Sequence, residues 1–496
     1  MKTVFLSFLL SSLAVNAQII TPLEKSDYSG LTSNSDLVEF VMGLPDHSKL
    51  IKYDTLAVSP EGKVLPLLKI SKTVFGESKN KIKVLVFAQQ HGNEHSGKEA
   101  ALTLLKQIAL GKLDYLFDRI DLLLVPQMNP DGNDKDQRRN GDNEDLNRNH
   151  VILTEPEVIG LHNLFNRYMP EATLDLHEYG SYSRDWMNYG YRKDYDEQIG
   201  KLTNPNIYLP IRQLQSEKLL PFIKKYLSEA GFSSNDYTVG GPPDKSRLRY
   251  STVDINDGRQ SFGILNTFSF IIEGKNGRES SDNIKRRAYG QYTAVLGFLN
   301  FFHKNSSQIK KLVNEGRNSL RKRSVESVAV QMEHTGNGKK ELNLLSIKTG
   351  KDTTIEISNF HTEVETILAV RKPLGYLVPK NDPELISLLQ KHDIKMLEYK
   401  RISSHRIRQY YIKKKLKIKL EELDINTPLV ELKDAAGIKD DSYFFVPLNQ
   451  IHSNMLVLIL DPQSMTGLVQ YEKFSYLLNE KSSYPILQVD ENLNNN

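Results

Sequence analysis

The sequence predicts an α/β fold built on a largely parallel sheet, followed by a smaller mixed α+β domain rich in β structure. Three observations lead there. Continuous apolar runs at 82–88 (IKVLVFA), 121–126 (DLLLVP), 173–176 (TLDL) and 268–272 (FSFII) read as strands buried on both faces. Helical patterns lie between them, at 96–110, 155–168, 214–230 and 283–302. Strands alternating with helices are the signature of parallel βαβ units. Beyond about residue 327 the texture changes to strict alternation at 328–332, 353–357 and 363–370, which suits antiparallel strands, with a helical pattern at 382–391.

The chain starts with MKTVFLSFLLSSLAVNA, in which Lys2 precedes an apolar stretch at 4–13 and the small residues Val15 and Ala17 frame a cleavage site before Gln18. About 12 apolar residues are too few for a membrane span of roughly 20. Residues 1–17 are therefore expected to be a signal peptide, and the product to be periplasmic or secreted with no integral membrane segment. Cysteine is absent from all 496 residues, which excludes disulfides, thiolate metal sites and a cysteine nucleophile. Export without cysteine points to a bacterial periplasm or medium. With 65 Lys and Arg against 61 Asp and Glu, the formal charge of +4 argues against a nucleic-acid partner.

The predicted organisation after the signal is an α/β domain at 18–303, a basic linker or helix at 304–326, and a second domain at 327–490. Ser96 and Glu99 have capping-box spacing at the start of the first helix. The linker is basic through Lys304, Lys310, Lys311, Arg317, Arg321, Lys322 and Arg323. In 413–420 (KKKLKIKL), Leu416, Ile418 and Leu420 alternate with Lys415, Lys417 and Lys419, as on a strand with one apolar and one cationic face; an anionic glycan or membrane surface is the sharper reading. The tail at 492–496 is expected to fray.

Four motifs carry chemistry. His91-Gly-Asn-Glu94 follows the run at 82–88, and imidazole with carboxylate suits zinc. In open α/β sheets, ligands collect beyond the carboxyl ends of strands. Glu94-His95 also completes H-x-x-E-H, which would need one helical turn; Gly92 and Asn93 disfavour that. Asn129-Pro-Asp-Gly132 closes the second run and leads into Arg138-Arg139-Asn-Gly-Asp-Asn-Glu-Asp145-Leu-Asn147-Arg148-Asn149, whose guanidinium and carboxamide groups suit a carboxylate. His177 ends the third run as a candidate third ligand. Glu273 ends the fourth, where a carboxylate beside a metal supplies a general base.

In order and spacing these motifs resemble the zinc carboxypeptidase family, peptidase family M14. Val58-Ser-Pro-Glu-Gly62 and Asp145-Leu-Asn-Arg-Asn149 add to the resemblance, which covers about residues 28–303. The strings at 372–379 and 454–462 are similar to a domain that accompanies exported bacterial members. The resemblance implies a mixed, mostly parallel central sheet with helices on both faces, and one zinc ion held by His91, Glu94 and His177. It implies that Glu273 is the catalytic base toward a zinc-activated water. It further implies that Asn147 and Arg148 grip the substrate's terminal carboxylate and that Arg138, or alternatively Arg139, polarises the scissile carbonyl. Asn93 stands where many members have an arginine, and the arginine-rich stretch is shortened. For the substrate-capping tyrosine, Tyr250 lies at a suitable distance before Glu273.

The expected activity is hydrolysis of C-terminal peptide bonds in peptides or proteins with a free C-terminal carboxylate. Two other readings stay open: a zinc amidohydrolase acting on cell-wall peptides or acyl-amino acids, and a catalytically silent binding protein on the same scaffold.

Overall fold

A computed structural model describes residues 19–336 and 338–491; the expected signal peptide and frayed tail lie outside the described residues. The first two thirds of the chain supply β1 (Ile51–Val58), β2 (Val64–Ile70), β3 (Ile82–Ala88), β4 (Ile120–Val125), β5 (Ala172–Tyr179), β6 (Tyr191–Arg192), β7 (Glu197–Gly200), β8 (Ser234–Asp236), β9 (Thr238–Val239), β10 (Leu248–Tyr250) and β11 (Phe268–Lys275). Eight of these form one sheet in the order β1-β2-β4-β3-β5-β11-β7-β8. Its centre, β4-β3-β5-β11, is parallel; β1 with β2, β2 with β4 and β11 with β7 pair antiparallel, and β7 with β8 is parallel again. The mixed, mostly parallel sheet of an α/β fold is thus observed. The apolar runs explain it: β4 and β5 are buried along their whole length, as strands covered on both faces must be. At β3 the strand order reverses, because β4 lies on one side and β5 on the other, and this opens a crevice beyond the strand ends.

The helix Ser96–Ala109 follows β3. Its N-cap is His95 without a side-chain cap bond, so the expected capping box at Ser96 does not form; Glu99 instead accepts bonds from the N–H and hydroxyl of Thr32. The pattern at 283–302 and the basic segment after it are one helix, Ile284–Arg321, with non-helical backbone at Asn305. Ile309, Val313, Arg317 and Leu320 are buried along its second half, and Arg317 donates to the carbonyls of Met169 and Pro170.

The last third supplies β12 (Ser327–Thr335), β13 (Gly338–Ser346), β14 (Asp352–His361), β15 (Glu363–Arg371), β16 (Gly375–Pro379), β17 (Leu397–Glu398), β18 (His405–Leu420), β19 (Leu423–Asp434), β20 (Tyr443–Pro447), β21 (Ser482–Ser483) and β22 (Leu487–Glu491). The alternating lysine segment lies on β18, paired with β19 in a long hairpin. The two parts of the chain share structure. A five-stranded sheet runs β6-β13-β14-β10-β9, and Trp186 and Leu248 pack there against Leu342, Leu344, Ile357 and Phe360. Among the described residues no helix is long and apolar enough to cross a membrane.

Candidate metal centre and catalytic cleft

The bend after β3 places the first two site residues. Gln89 adopts φ +60°, and Gly92 is packed so closely that a Cβ there would lie 2.2 Å from the Gly132 carbonyl carbon and 2.5 Å from the Asn133 nitrogen. Only glycine fits, so the bend cannot extend into the helix, and His95 turns away to bond Asp136 at 2.9 Å. This removes the single-turn H-x-x-E-H geometry. His91 and Glu94 face inward, where His177 arrives from β5.

Three donors converge without strain. His91 Nδ1 lies 2.8 Å from Glu94 Oε1, His177 Nδ1 lies 2.9 Å from Glu94 Oε2, and the two Nδ1 atoms are 3.1 Å apart. A tetrahedral ion at 2.0–2.1 Å from its ligands needs donors about 3.3 Å from one another. The residues present therefore fit a zinc ion. The outer nitrogens agree: His91 Nε2 lies 3.2 Å from Asp145 Oδ1, and His177 Nε2 lies 2.9 Å from Asp175 Oδ1. Metal-bound imidazoles characteristically donate their second N–H to a carboxylate, which fixes ring orientation and raises ligand basicity. All three residues are buried, and together they could hold a metal ion.

Glu273 stands beside this cluster because β11 pairs parallel with β5 in a register that sets Glu273 opposite His177. It is 6 % exposed, and burial, aided by the Glu94 charge, pushes its carboxyl up to about 7. A carboxylate near neutrality can both accept and return a proton.

A cavity of about 610 Å³ opens over these residues, lined also by Arg138, Asn147, Arg148, Trp186, Lys193, Gln198, Tyr237, Arg249, Asp254, Ile271 and Leu423. Arg138 reaches it with Nε and Nη2 held by Asp145 Oδ2 at 3.1 and 2.9 Å, and its Nη1 lies 3.7 Å from Glu94. The neighbouring Arg139 instead donates to the Asn143 carbonyl and does not line the cavity. Asn147 is buried, its Oδ1 accepting from the Gly258 N–H, while Arg148 is exposed and donates to the Asn147 carbonyl.

Tyr250 is not brought to the site. It lies on β10 with its ring edge-on to Phe360 and beneath the Lys201 ammonium, held by the short pairing of β10 with β9 and β14. Tyr237 lines the cavity, half-buried, with its hydroxyl hydrogen-bonded to Glu273. Its signal in the sequence is the Gly240-Gly241 pair that follows: Gly240 has φ +101° and lies so close to Arg247 that no side chain fits, which makes the turn that returns Tyr237 to the cleft. Asp145 and Asp175, behind the histidine rings, and Lys193, in the cavity wall, are residues to which the motifs gave no role.

Fold and site together define a class, a metal-dependent hydrolase on an α/β scaffold. Residues 40–241 match the family model described as zinc carboxypeptidase, Peptidase_M14. The chain is 25 % identical over 385 residues to "Probable carboxypeptidase 2" of Arthroderma benhamiae, covering 74 % of this chain and 71 % of that one. It is 23 % identical over 494 residues to "Carboxypeptidase 2" of Trichophyton tonsurans, covering 93 % and 87 %. Among solved structures, a metallo-carboxypeptidase from Pseudomonas aeruginosa aligns with 55 % of this chain and 68 % of that one, at 20 % identity and a TM-score of 0.42. The match to the zinc carboxypeptidase family, peptidase family M14, spans residues 40–241, and with the similarity to carboxypeptidases it supports a zinc metallopeptidase.

Proposed function

We propose that this chain is an exported metallocarboxypeptidase that hydrolyses C-terminal peptide bonds, with one zinc ion held by His91, Glu94 and His177. The observation that carries the reading is the convergence of these three donors with Glu273 in register beside His177. Zinc held there would supply Lewis acidity toward the attacking water and the scissile carbonyl. Glu273 takes the proton from the attacking water and passes it to the leaving amine. Arg138, steadied by Asp145, faces the carbonyl oxygen as charge develops on it, a contribution of roughly 3 to 4 kcal/mol in comparable donors. Arg148, exposed in the cavity and with Asn147 beside it, holds the C-terminal carboxylate and so converts binding into position. Tyr237 steadies the Glu273 carboxyl by its hydroxyl. The α/β part at 18–303 carries the chemistry, and 327–490 serves as an accessory part that completes the cavity wall.

The test is Glu273→Gln in the zinc-loaded enzyme, assayed by release of C-terminal residues from a peptide panel and by zinc content. Retained zinc with nearly all turnover lost is expected; wild-type rates would remove Glu273 from the mechanism. Cleavage confined to muropeptides would favour the amidohydrolase, and a wild-type protein with neither zinc nor hydrolysis would sink the enzymatic reading.

A further inference from the structure

The cavity is lined by four cationic side chains, and they are not equivalent. Arg138 is paired with Asp145 at 2.9 Å, and Arg249 with Glu421 at 3.1 Å, a carboxylate at the turn of the β18–β19 hairpin. Among the described residues, neither Arg148 nor Lys193 has a carboxylate oxygen within 4.0 Å. Arg148 has a place in the function proposed above. Lys193 has none.

Lys193 lies between β6 and β7, and β7 pairs with β11 so that Gln198 stands opposite Glu273. Five residues earlier, Lys193 falls beyond the carboxyl end of β11, in the cleft wall. Its ammonium donates to the Thr238 carbonyl at 2.9 Å and the Thr238 hydroxyl at 3.1 Å, with Nζ 5.8 Å from the centre of the Trp186 ring. Both acceptors are neutral. Tying Thr238 in place needs only a hydrogen-bonding side chain, whereas an ammonium adds the cost of a half-buried charge with no carboxylate in contact, Glu273 acting on it only from farther off. Three donors, two of them used on Thr238, also leave one N–H for an incoming acceptor.

We propose that Lys193 is a second carboxylate reader, receiving the side-chain carboxylate of a Glu or Asp next to the scissile bond, so that the enzyme favours acidic peptide ends. This rests on the reading in which Asn147 and Arg148 take the terminal carboxylate. An ammonium–carboxylate hydrogen bond in a cleft is stronger than its neutral counterpart, and the site then discriminates Glu from Gln by charge.

The test uses two peptide pairs, differing only in Glu against Gln at the terminal or the penultimate position, with the zinc-loaded full chain. For wild type, kcat/KM is expected to be at least about tenfold higher for the Glu member of one pair. Lys193→Gln, which keeps a donor for Thr238, should bring that ratio near one; Lys193→Arg should keep it, and Lys193→Glu should turn the preference toward Lys. The same peptides titrated calorimetrically into Glu273→Gln read binding apart from turnover. No Glu preference at either position in wild type, or a preference that survives Lys193→Gln, overturns the proposal. Discrimination by binding in a protein that hydrolyses none of the peptides would support the Lys193 subsite while refuting the hydrolytic reading.

Discussion

Asp145 ties three parts of the site together, and Asp145→Asn tests that arrangement. One carboxylate oxygen, Oδ1, faces His91 Nε2 at 3.2 Å and accepts the Asn147 N–H at 3.0 Å; the other, Oδ2, accepts two bonds from Arg138 at 2.9 and 3.1 Å. Asparagine keeps the shape and one acceptor, so the Asn147 turn and the His91 ring can stay in place. It loses the charge that raises the basicity of His91, and it turns an N–H₂ toward the Arg138 guanidinium, setting donor against donor. Removing the carboxylate behind a metal-bound histidine typically costs 10- to 100-fold in metal affinity, or about 1.4–2.7 kcal/mol. The Arg138 side chain is 45 % exposed, so the ion pair itself adds only about 0.2–1 kcal/mol, and its loss acts mainly by freeing the guanidinium. The zinc dissociation constant, measured by competition with a chromogenic chelator, should rise at least tenfold. At saturating zinc, kcat/KM on a blocked dipeptide should still fall about tenfold, because Arg138 no longer faces the carbonyl. Asp145→Ala, which removes every acceptor, should be worse on both counts. A zinc affinity within twofold of wild type in Asp145→Asn would refute the reasoning that His91 is tuned from behind.

Gly92→Ala should be severely destabilising, by about 3 kcal/mol or more in urea denaturation, since the added Cβ meets backbone atoms that cannot yield; Gly180→Ala, with nothing within 4 Å, is the control and should be near neutral. Tyr237→Phe removes the bond that favours the charged form of Glu273, so the acidic limb of the kcat/KM–pH profile should move to higher pH, and an unmoved limb would disprove that contact. His150, His162, His392 and His452 line one small buried cavity. Burial lowers His150 to about 3, His392 to about 4 and His452 to about 3, and His162 well below its ordinary value near 6.5. The unfolded chain therefore binds protons first as pH falls. Stability of the metal-free protein should be full above about pH 7 and decline between 6.5 and 4 by up to about 1.4 kcal/mol per pH unit for each histidine. A urea midpoint flat from pH 7 to 5 would show these histidines to be solvated.

The metal cluster and Glu273 were legible because each ends an apolar run. A parallel sheet brings strand ends to one edge, so four residues scattered from 91 to 273 meet once β3, β5 and β11 are recognised as neighbours. The departures have equally local causes. Ser96 reads as a cap by composition, but the close packing of Gly92 against 132–137 carries the bend one residue short of it and leaves His95 at the cap. Tyr250 suits the expected distance from Glu273 only if the intervening chain is compact. The turn at Gly240-Gly241 and the strand at 248–250 use up that length, and the tyrosine that lines the cavity is Tyr237. Asp145 and Asp175 become meaningful only when it is known which nitrogen of each imidazole faces inward.

The cavity wall shows why domain texture alone could not outline the cleft. The strands that join the two parts, β6, β9 and β10, are two or three residues long, too short to carry any period in the sequence. Their partners lie far along the chain, β13 pairing with β6 across about 155 residues and β14 with β10 across about 112, and only pairing reveals the shared sheet. Trp186, a cavity residue, is buried at 2 % exposure by Leu342, Leu344, Ile357 and Phe360, and Arg249 is held by Glu421 from the β18–β19 turn. The residues after 326 therefore position side chains that line the cavity, although none of them belongs to the His91–Glu94–His177 cluster. The lysine-bearing strand takes its meaning from the same arrangement: Leu420, Leu423 and Ile425 share one face of the hairpin, Leu420 and Ile425 are buried, and Leu423 lines the cavity mouth. Along 413–420 the lysines are exposed while the apolar face passes from exposed Leu416 through half-buried Ile418 to buried Leu420.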